Sequence, residues 1–384
     1  MKRLKQLTYL IIVLASLTAC EHDDMPIQHA DRYDYITFSV QTGKMLTRAN
    51  AYEAYDPARH PATMGVFGYY DMAGYAALTR AASEASATPN PNPVFDNETV
   101  TYDEASALWN SAELKRWDAY TGATSFDFFA CMPRTSGTQV SRTSTDTYTL
   151  ALPFQMPDAV PFLTDTRQAP ILCALPEHRE STVANGSQFS FDRNVKFKFD
   201  QTLVGYKLLF MLDAKMNNLR QFRIKRVALS GTIATKGTVS RTYVWDNKAW
   251  TAQNIQWTVS RQDIADAPVA YVASDDKAYD NEAQTLLATS ADYKQWGGTL
   301  YFIPDAKFLP TISVTYDVEL LAEDGSTVIT RKDVTSTIVL NKSNFSTLTT
   351  GQIATINPVR ILIQPRYLYV LADDDAYTGH LLIE

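Results

Sequence analysis

Apolar and polar residues alternate with a period of two along much of this chain. Ile312, Val314, Tyr316, Val318 and Leu320 alternate with Thr311, Ser313, Thr315, Asp317 and Glu319. That pattern predicts a strand with one face on a core and the other in water. Val195, Phe197 and Phe199 alternate in the same way with Lys196, Lys198 and Asp200. Further strands are predicted at 35–40, 64–70, 124–131, 206–212, 222–229, 242–245, 299–303 and 334–340. Helical signals are few. Residues 103–109 predict one short helix, with Asp103 as its N-cap and Glu104 near the positive end of its dipole. Many short strands joined by polar turns read as a mainly β chain built of β-sandwiches. Thr88-Pro89-Asn90-Pro91-Asn92-Pro93 reads as an extended connection, since proline fixes φ and restricts the residue before it.

The chain begins with a different pattern. Lys2, Arg3 and Lys5 precede an apolar run from Leu7 to Leu17, which closes on Leu17-Thr18-Ala19-Cys20. A basic head, a short apolar core and a small residue before a cysteine describe a lipoprotein signal peptide over 1–19, with Cys20 lipidated. No later apolar run reaches the roughly 18–20 residues that span a bilayer, so the membrane link expected here is the lipid on Cys20. A leader, 20–48, follows. Within it Ile36, Phe38 and Val40 form one apolar face, with Tyr35, Thr37 and Ser39 opposite. The stretch from Gln41 to Met45 is polar and contains Gly43, and a flexible linker there would present Arg48 to a protease.

With 384 residues and 45% hydrophobic composition, the chain holds two domains of ordinary size beyond its leader. The break is expected near Lys215-Met216-Asn217-Asn218, dividing 49–216 from 217–384. A formal net charge of -7 argues against a nucleic-acid partner, which would want clustered Lys and Arg. After Cys20 only Cys131 and Cys173 remain. An exported protein can form a disulfide, but both cysteines sit in apolar stretches that suit buried free thiols. They lack the His neighbours and close spacing of a metal site.

The C-terminal residues carry a third pattern. Ile361-Leu362-Ile363 and then Tyr367-Leu368-Tyr369-Val370-Leu371 flank Gln364-Pro365-Arg366, and the chain closes on Leu381-Leu382-Ile383. An apolar end needs a partner. Either it folds back into its own domain, or it is donated to a neighbour. Asp373-Asp374-Asp375 reads as a charged spacer against premature pairing or as a plain solvated turn.

Several segments, in order, resemble the fimbrillins, the type V pilin family of Bacteroidales. They are Ile36-Thr37-Phe38, Thr47-Arg48-Ala49, Trp117 ahead of Phe128-Phe129-Ala130-Cys131-Met132-Pro133, Phe197-Lys198-Phe199-Asp200-Gln201-Thr202-Leu203, and Leu300-Tyr301-Phe302-Ile303-Pro304 ahead of Val314-Thr315-Tyr316. Cys131 replaces the family's usual aromatic, and the family's His is missing beside Asp200. Glu21-His22-Asp23-Asp24 is similar to the acidic export signal of Bacteroidetes surface lipoproteins, and equally reads as a solvated linker. The resemblance implies two consecutive transthyretin-like β-sandwich domains and a cell-surface location at the outer membrane. It implies cleavage between Arg48 and Ala49 by a trypsin-like maturation protease. It also implies departure of the strand bearing Ile36, Phe38 and Val40, and filling of the vacated groove by another fimbrial subunit. Tyr367–Leu371 and Leu381–Ile383 are the candidate donor segments for that exchange, which would be β-augmentation.

Catalytic signals are weak. The five histidines are scattered, and no His-Glu-x-x-His, Gly-x-Ser-x-Gly or phosphate-cradling glycine loop occurs. No cofactor or metal is implied. The rival reading is a tip or accessory adhesin that binds a receptor or carbohydrate and does not polymerise. For that reading Trp245, Trp250, Trp257 and Trp296 are candidates for a sugar-stacking platform, although such residues more often pack cores.

Overall fold

The computed structural model describes residues 35–43, 52–70, 93–120, 123, 125–144, 146–157, 163, 165–180, 194–212, 220–246, 249–260, 264–273, 285–287, 293–304, 311–339, 356–365 and 379–383. Among them the chain is mainly β and contains no α-helix. In chain order the early strands are β1 (Thr37–Gly43), β2 (Tyr52–Ala54), β3 (Thr63–Tyr70), β4 (Pro93–Asp103), β5 (Leu108–Ser111), β6 (Ser125–Met132) and β7 (Gln139–Ser144). Next come β8 (Thr147–Gln155), β9 (Ile171–Cys173), β10 (Glu177–Glu180), β11 (Asn194–Gln201), β12 (Val204–Leu212), β13 (Arg220–Ala234), β14 (Lys236–Asp246), β15 (Ala249–Ala252) and β16 (Gln256–Thr258). The last are β17 (Ile264–Ala273), β18 (Thr285–Leu287), β19 (Lys294–Phe302), β20 (Thr311–Leu321), β21 (Thr327–Val339), β22 (Ile356–Pro365) and β23 (Gly379–Ile383).

The described strands form four sheets. The largest runs β10-β6-β3-β4-β5-β1-β11-β9, and a further β6–β9 pairing closes seven of its strands, β6 to β9 along this path, into a ring with β10 outside it. β8 and β14 pair with β7, β15 and β16 in a second sheet. Side chains of these two sheets make one core, in which Phe67, Phe95, Phe128, Phe129, Phe197 and Phe199 of the ring sheet meet Tyr148, Tyr243 and Trp250 of the other. β6 is buried along its whole length, as expected of a strand with a layer on each side. Close packing there demands Gly68: a Cβ on it would lie 2.8 Å from the Phe128 ring and 2.9 Å from Phe95.

The other two sheets run β19-β12-β22-β23 and β17-β13-β20-β21, and together they build a second core. Phe210, Ile361 and Ile363 contribute from one side, and Phe222, Ile224, Val314 and Tyr316 from the other. The expected division near residues 215–218 falls outside the described residues. Each core draws strands from both sides of it: β12 belongs to the second core, while β14, β15 and β16 return to the first.

Two local expectations are corrected. Residues 103–109 form no helix. Asp103 does act as a cap, accepting from the backbone N–H of Ala105 at 3.0 Å and the hydroxyl of Ser106 at 2.7 Å. The chain then turns through Ala107 at φ 55° and runs back antiparallel, as β5 against β4. The Asx bonds that start a helix also start a turn, and sheet pairing won here. On β20 the supposed water face is partly internal. Asp317 and Glu319 are buried, with Lys225 Nζ 3.8 Å from Asp317 and Arg223 Nε 3.4 Å from Glu319. Cross-strand cations of β13 let these carboxylates lie inside.

Candidate functional site: the first strand and its slot

β1 is an ordinary alternating strand by sequence, and the sheet gives it an unusual position. It runs parallel to β11, in register from Thr37 opposite Asn194 to Thr42 opposite Phe199. On its other side Phe38 faces Trp109 of β5, and Gln41–Gly43 pair with Ala54–Tyr52 of β2. Ahead of the strand, the Ile36 N–H donates to the Lys115 carbonyl at 2.9 Å. Tyr35 bridges Arg116, whose guanidinium lies 5.8 Å above the tyrosine ring.

Ile36, Phe38 and Val40 point inward and are 4%, 6% and 8% exposed. Phe38 stacks on Phe197, with centroids 6.0 Å apart and planes 11° apart, and meets Phe95 edge-on at 5.5 Å. Burying three such side chains stabilises the assembly by roughly 1.5–3 kcal/mol each. Thr42 extends the inward row as a fourth, fully buried member. It escapes a reading that scores hydroxyls as polar, although the period of two places it there. The polar linker expected from Gln41 onward therefore begins later, because strand persists to Gly43.

Polar contacts close the far end of the slot. The Tyr52 hydroxyl donates to Asp200 Oδ1 at 2.9 Å, and Arg241 Nη1 reaches Asp200 Oδ2 at 2.5 Å. Burial, followed by the charge and hydrogen bond of Asp200, pushes the Tyr52 hydroxyl up to about 12. Lys198 lies 5.4 Å above the same ring. Asp200, one of the two departures from the fimbrillin pattern, thus joins β2, β11 and β14. The other departure, Cys131, is buried and free, as is Cys173. Burial raises both thiols, Cys131 to about 12, so neither is a ready thiolate.

The remaining sequence candidates divide into those described and those not. Cys20, Arg48, Ala49 and Tyr367–Leu371 lie outside the described residues. Arg48 and Ala49 fall within the connection 44–51 that joins β1 to β2. The backbone of Leu381, Leu382 and Ile383 is in β23, opposite Ile363, Leu362 and Ile361 of β22 in the same chain. β23 is the last strand of its sheet.

Among the described residues the candidate tryptophans are not gathered on one exposed platform. Trp250 is buried and donates to Asp127 Oδ1 at 2.7 Å, and Trp245 packs edge-on against it at 5.1 Å. Trp257 donates to the Thr202 carbonyl at 2.7 Å. The side chain of Trp296 lies outside the described residues. His178 Nδ1 lies 2.6 Å from the same Asp127 oxygen and its ring 4.6 Å from Trp245. This aromatic and ionic knot, which sequence reading missed, ties β6 and β10 to β14 and β15. Among the described residues no group of three or more His, Cys, Asp or Glu is placed to hold a metal ion.

No protein-family model and no curated protein matches this sequence. Solved structures do. A fimbrial protein from Bacteroides vulgatus aligns with 91% of this chain and 98% of its own at 15% identity, with a TM-score of 0.50. The fimbrial anchor protein Mfa2 from Porphyromonas gingivalis aligns with 91% of this chain and 96% of its own at 12% identity, with a TM-score of 0.29. Only the first alignment is close enough to carry an argument, and it concerns the fold. The structural neighbours of this chain include fimbrial proteins and cell-adhesion proteins of Bacteroidales, and with the fimbrial protein from B. vulgatus it shares an overall fold.

Proposed function

We propose that this chain is a structural, non-enzymatic subunit of surface fimbriae. It is exported as a precursor lipidated on Cys20, cut between Arg48 and Ala49 by a trypsin-like protease, and assembled when a neighbour's strand takes the place of β1. The observation that carries this reading is β1 itself. It is a stave of the closed sheet, with Phe38 and Val40, and Ile36 just ahead of them, in the core. Its connection to the rest of the chain, 44–51, contains two basic residues, Lys44 and Arg48, of which Arg48 is the one arginine. After cleavage β1 is held by main-chain pairing and burial alone, and a strand with a similar inward row can compete for its slot. The fimbrial fold of the B. vulgatus protein supports the reading. The two cores support a two-part body. The partners that follow are other fimbrial subunits, the outer membrane before cleavage, and a surface receptor at the fibre's end.

The test is limited trypsin digestion of the purified precursor, read by intact mass and native electrophoresis. A new N-terminus at Ala49 followed by a ladder of oligomers is the expected result. An N-terminus that stays ahead of Arg48, or a cleaved chain that remains monomeric with its slot strand bound, overturns the reading.

One observation favours a second role, that of a tip or accessory adhesin: β23 pairs within its own chain. A subunit whose tail stays home accepts a strand but donates none. Its cleaved form would then bind one donor and stop, giving a dimer with an added subunit in place of a ladder.

A further inference from the structure

We infer that β11 and β12 form the tension-carrying spine of this molecule, and that both ends of the spine are loaded in shear. The inference rests on the assembly reading for where force enters and leaves. Its geometry stands on the strand directions alone.

β11 ends at Gln201 and β12 begins at Val204, so only Thr202 and Leu203 lie between these two strands, one in the ring sheet and one in the second core. The segment ahead of β9, with Leu163 bridged to Tyr301 and Ala169 in the second core, is a second tie between them. Thr202 and Leu203 are fully buried. The Thr202 hydroxyl donates to the Pro170 carbonyl at 2.5 Å, and the Thr202 carbonyl accepts from Trp257 Nε1 at 2.7 Å. Gln201 Nε2 lies 3.4 Å from His60 Nδ1. A junction this short, with Thr202 bonded to two other segments and the adjoining Gln201 to a third, adds little extension before the cores themselves yield.

Each half of the spine has one parallel partner. β1 pairs with β11 from Thr37/Asn194 to Thr42/Phe199, and β22 pairs with β12 from Ile356/Gly205 to Ile363/Leu212. Direction decides what tension does to such pairs. A strand in the β1 slot, in the orientation of β1, is pulled from its N-terminal end, whether by a membrane tether ahead of it or by the body of a neighbour donating its C-terminal segment. β11 is pulled from its C-terminal end, through the junction. Two parallel strands drawn from opposite ends slide along each other, so every main-chain bond of the ladder resists together. At the other end β12 is pulled from its N-terminal end and β22 from its C-terminal end, where the tail leaves. That ladder is sheared as well. An antiparallel strand in either place, pulled the same way, would be peeled one bond at a time.

Single-molecule pulling on the full chain tests the inference without assembly. Handles are attached through Tyr35→Cys and Lys207→Cys to shear β1 against β11. A second chain carries Gln41→Cys and Lys207→Cys, which peels the same ladder from its C-terminal end. Each chain also carries Cys20→Ser, Cys131→Ala and Cys173→Ala, so that the handles are the reactive thiols. The expected result is a rupture force several-fold higher in the first geometry. A third chain adds Phe38→Ala to the first, and its force should fall between the two. Equal forces in the first two geometries, or extension at the 202–203 junction before either ladder breaks, overturn the inference. Because no strand exchange is involved, failure here leaves the trypsin ladder to be judged separately, and the reverse holds too.

Discussion

His60 is buried and His178 partly buried, and their surroundings push them in opposite directions. His60 is 3% exposed. Burial first, then the charge of Arg59, lowers its pKa to about 4. The unfolded chain takes up that proton near pH 6.5 and the folded chain does not, so stability falls as pH drops from 6.5 towards 4, by about 3 kcal/mol in all. For His178 burial opposes the charge, but the hydrogen bond and field of Asp127, with Glu180 beyond, outweigh it and raise the pKa. Its contribution is fully present below pH 6.5 and is lost as pH rises through the folded value. Urea midpoints across pH 4 to 9 should therefore show His60→Gln flattening the acid limb and His178→Gln flattening the alkaline one. Identical profiles would show the assignment to be mistaken. At Phe38, truncation to Ala removes a ring packed on Phe95 and Phe197. It should cost the precursor about 3–5 kcal/mol in chemical denaturation.

The first strand is the element on which the proposed function turns. Deleting residues 1–48 removes the parallel partner of β11 and uncovers the apolar row of Val195, Phe197 and Phe199. Such an edge recruits any strand that fits. The truncated chain is expected to self-associate in sedimentation experiments. A synthetic peptide of residues 34–43 should return it to monomer, and the same peptide with Phe38→Asp should not. A truncated chain that stays monomeric and ignores the peptide would mean the slot closes on its own. The β4–β5 turn carries a different lesson for elements. Asp103 bonds to the same backbone positions in a helix N-terminus and in an Asx turn, so local sequence left the choice to the partner strand.

On the scale of the molecule, the strands pass from the first core to the second, back to the first, and again to the second, and the segment between β8 and β9 also places Met156, Leu163 and Ala169 in the second core. β14 and β15 bring Val239, Tyr243 and Trp250 into the first core from beyond residue 217. Separately expressed pieces, 49–216 and 217–384, should each lack a closed core and give poorly dispersed NMR spectra, whereas co-expression should recover a soluble complex. Two well-dispersed, independent halves would show that the interleaving is dispensable. The same passage between cores places the short junction at 202–203, and with it the two parallel ladders.

Sequence by itself determined that this chain is mainly β and which way β1 faces, because a period of two assigns each side chain to a side of its strand before any partner is chosen. It marked Ile36, Phe38 and Val40 as inward on that ground. It also marked the alternating rows of β11 and β20. Neighbours were left to the tertiary structure. That β1 lies parallel to β11, that β14 crosses back to β8, and that Asp317 and Glu319 lie inside against β13 cations all depend on which distant strands meet. Alternation carries no information about that choice, since the main-chain groups that join strands are the same at every residue.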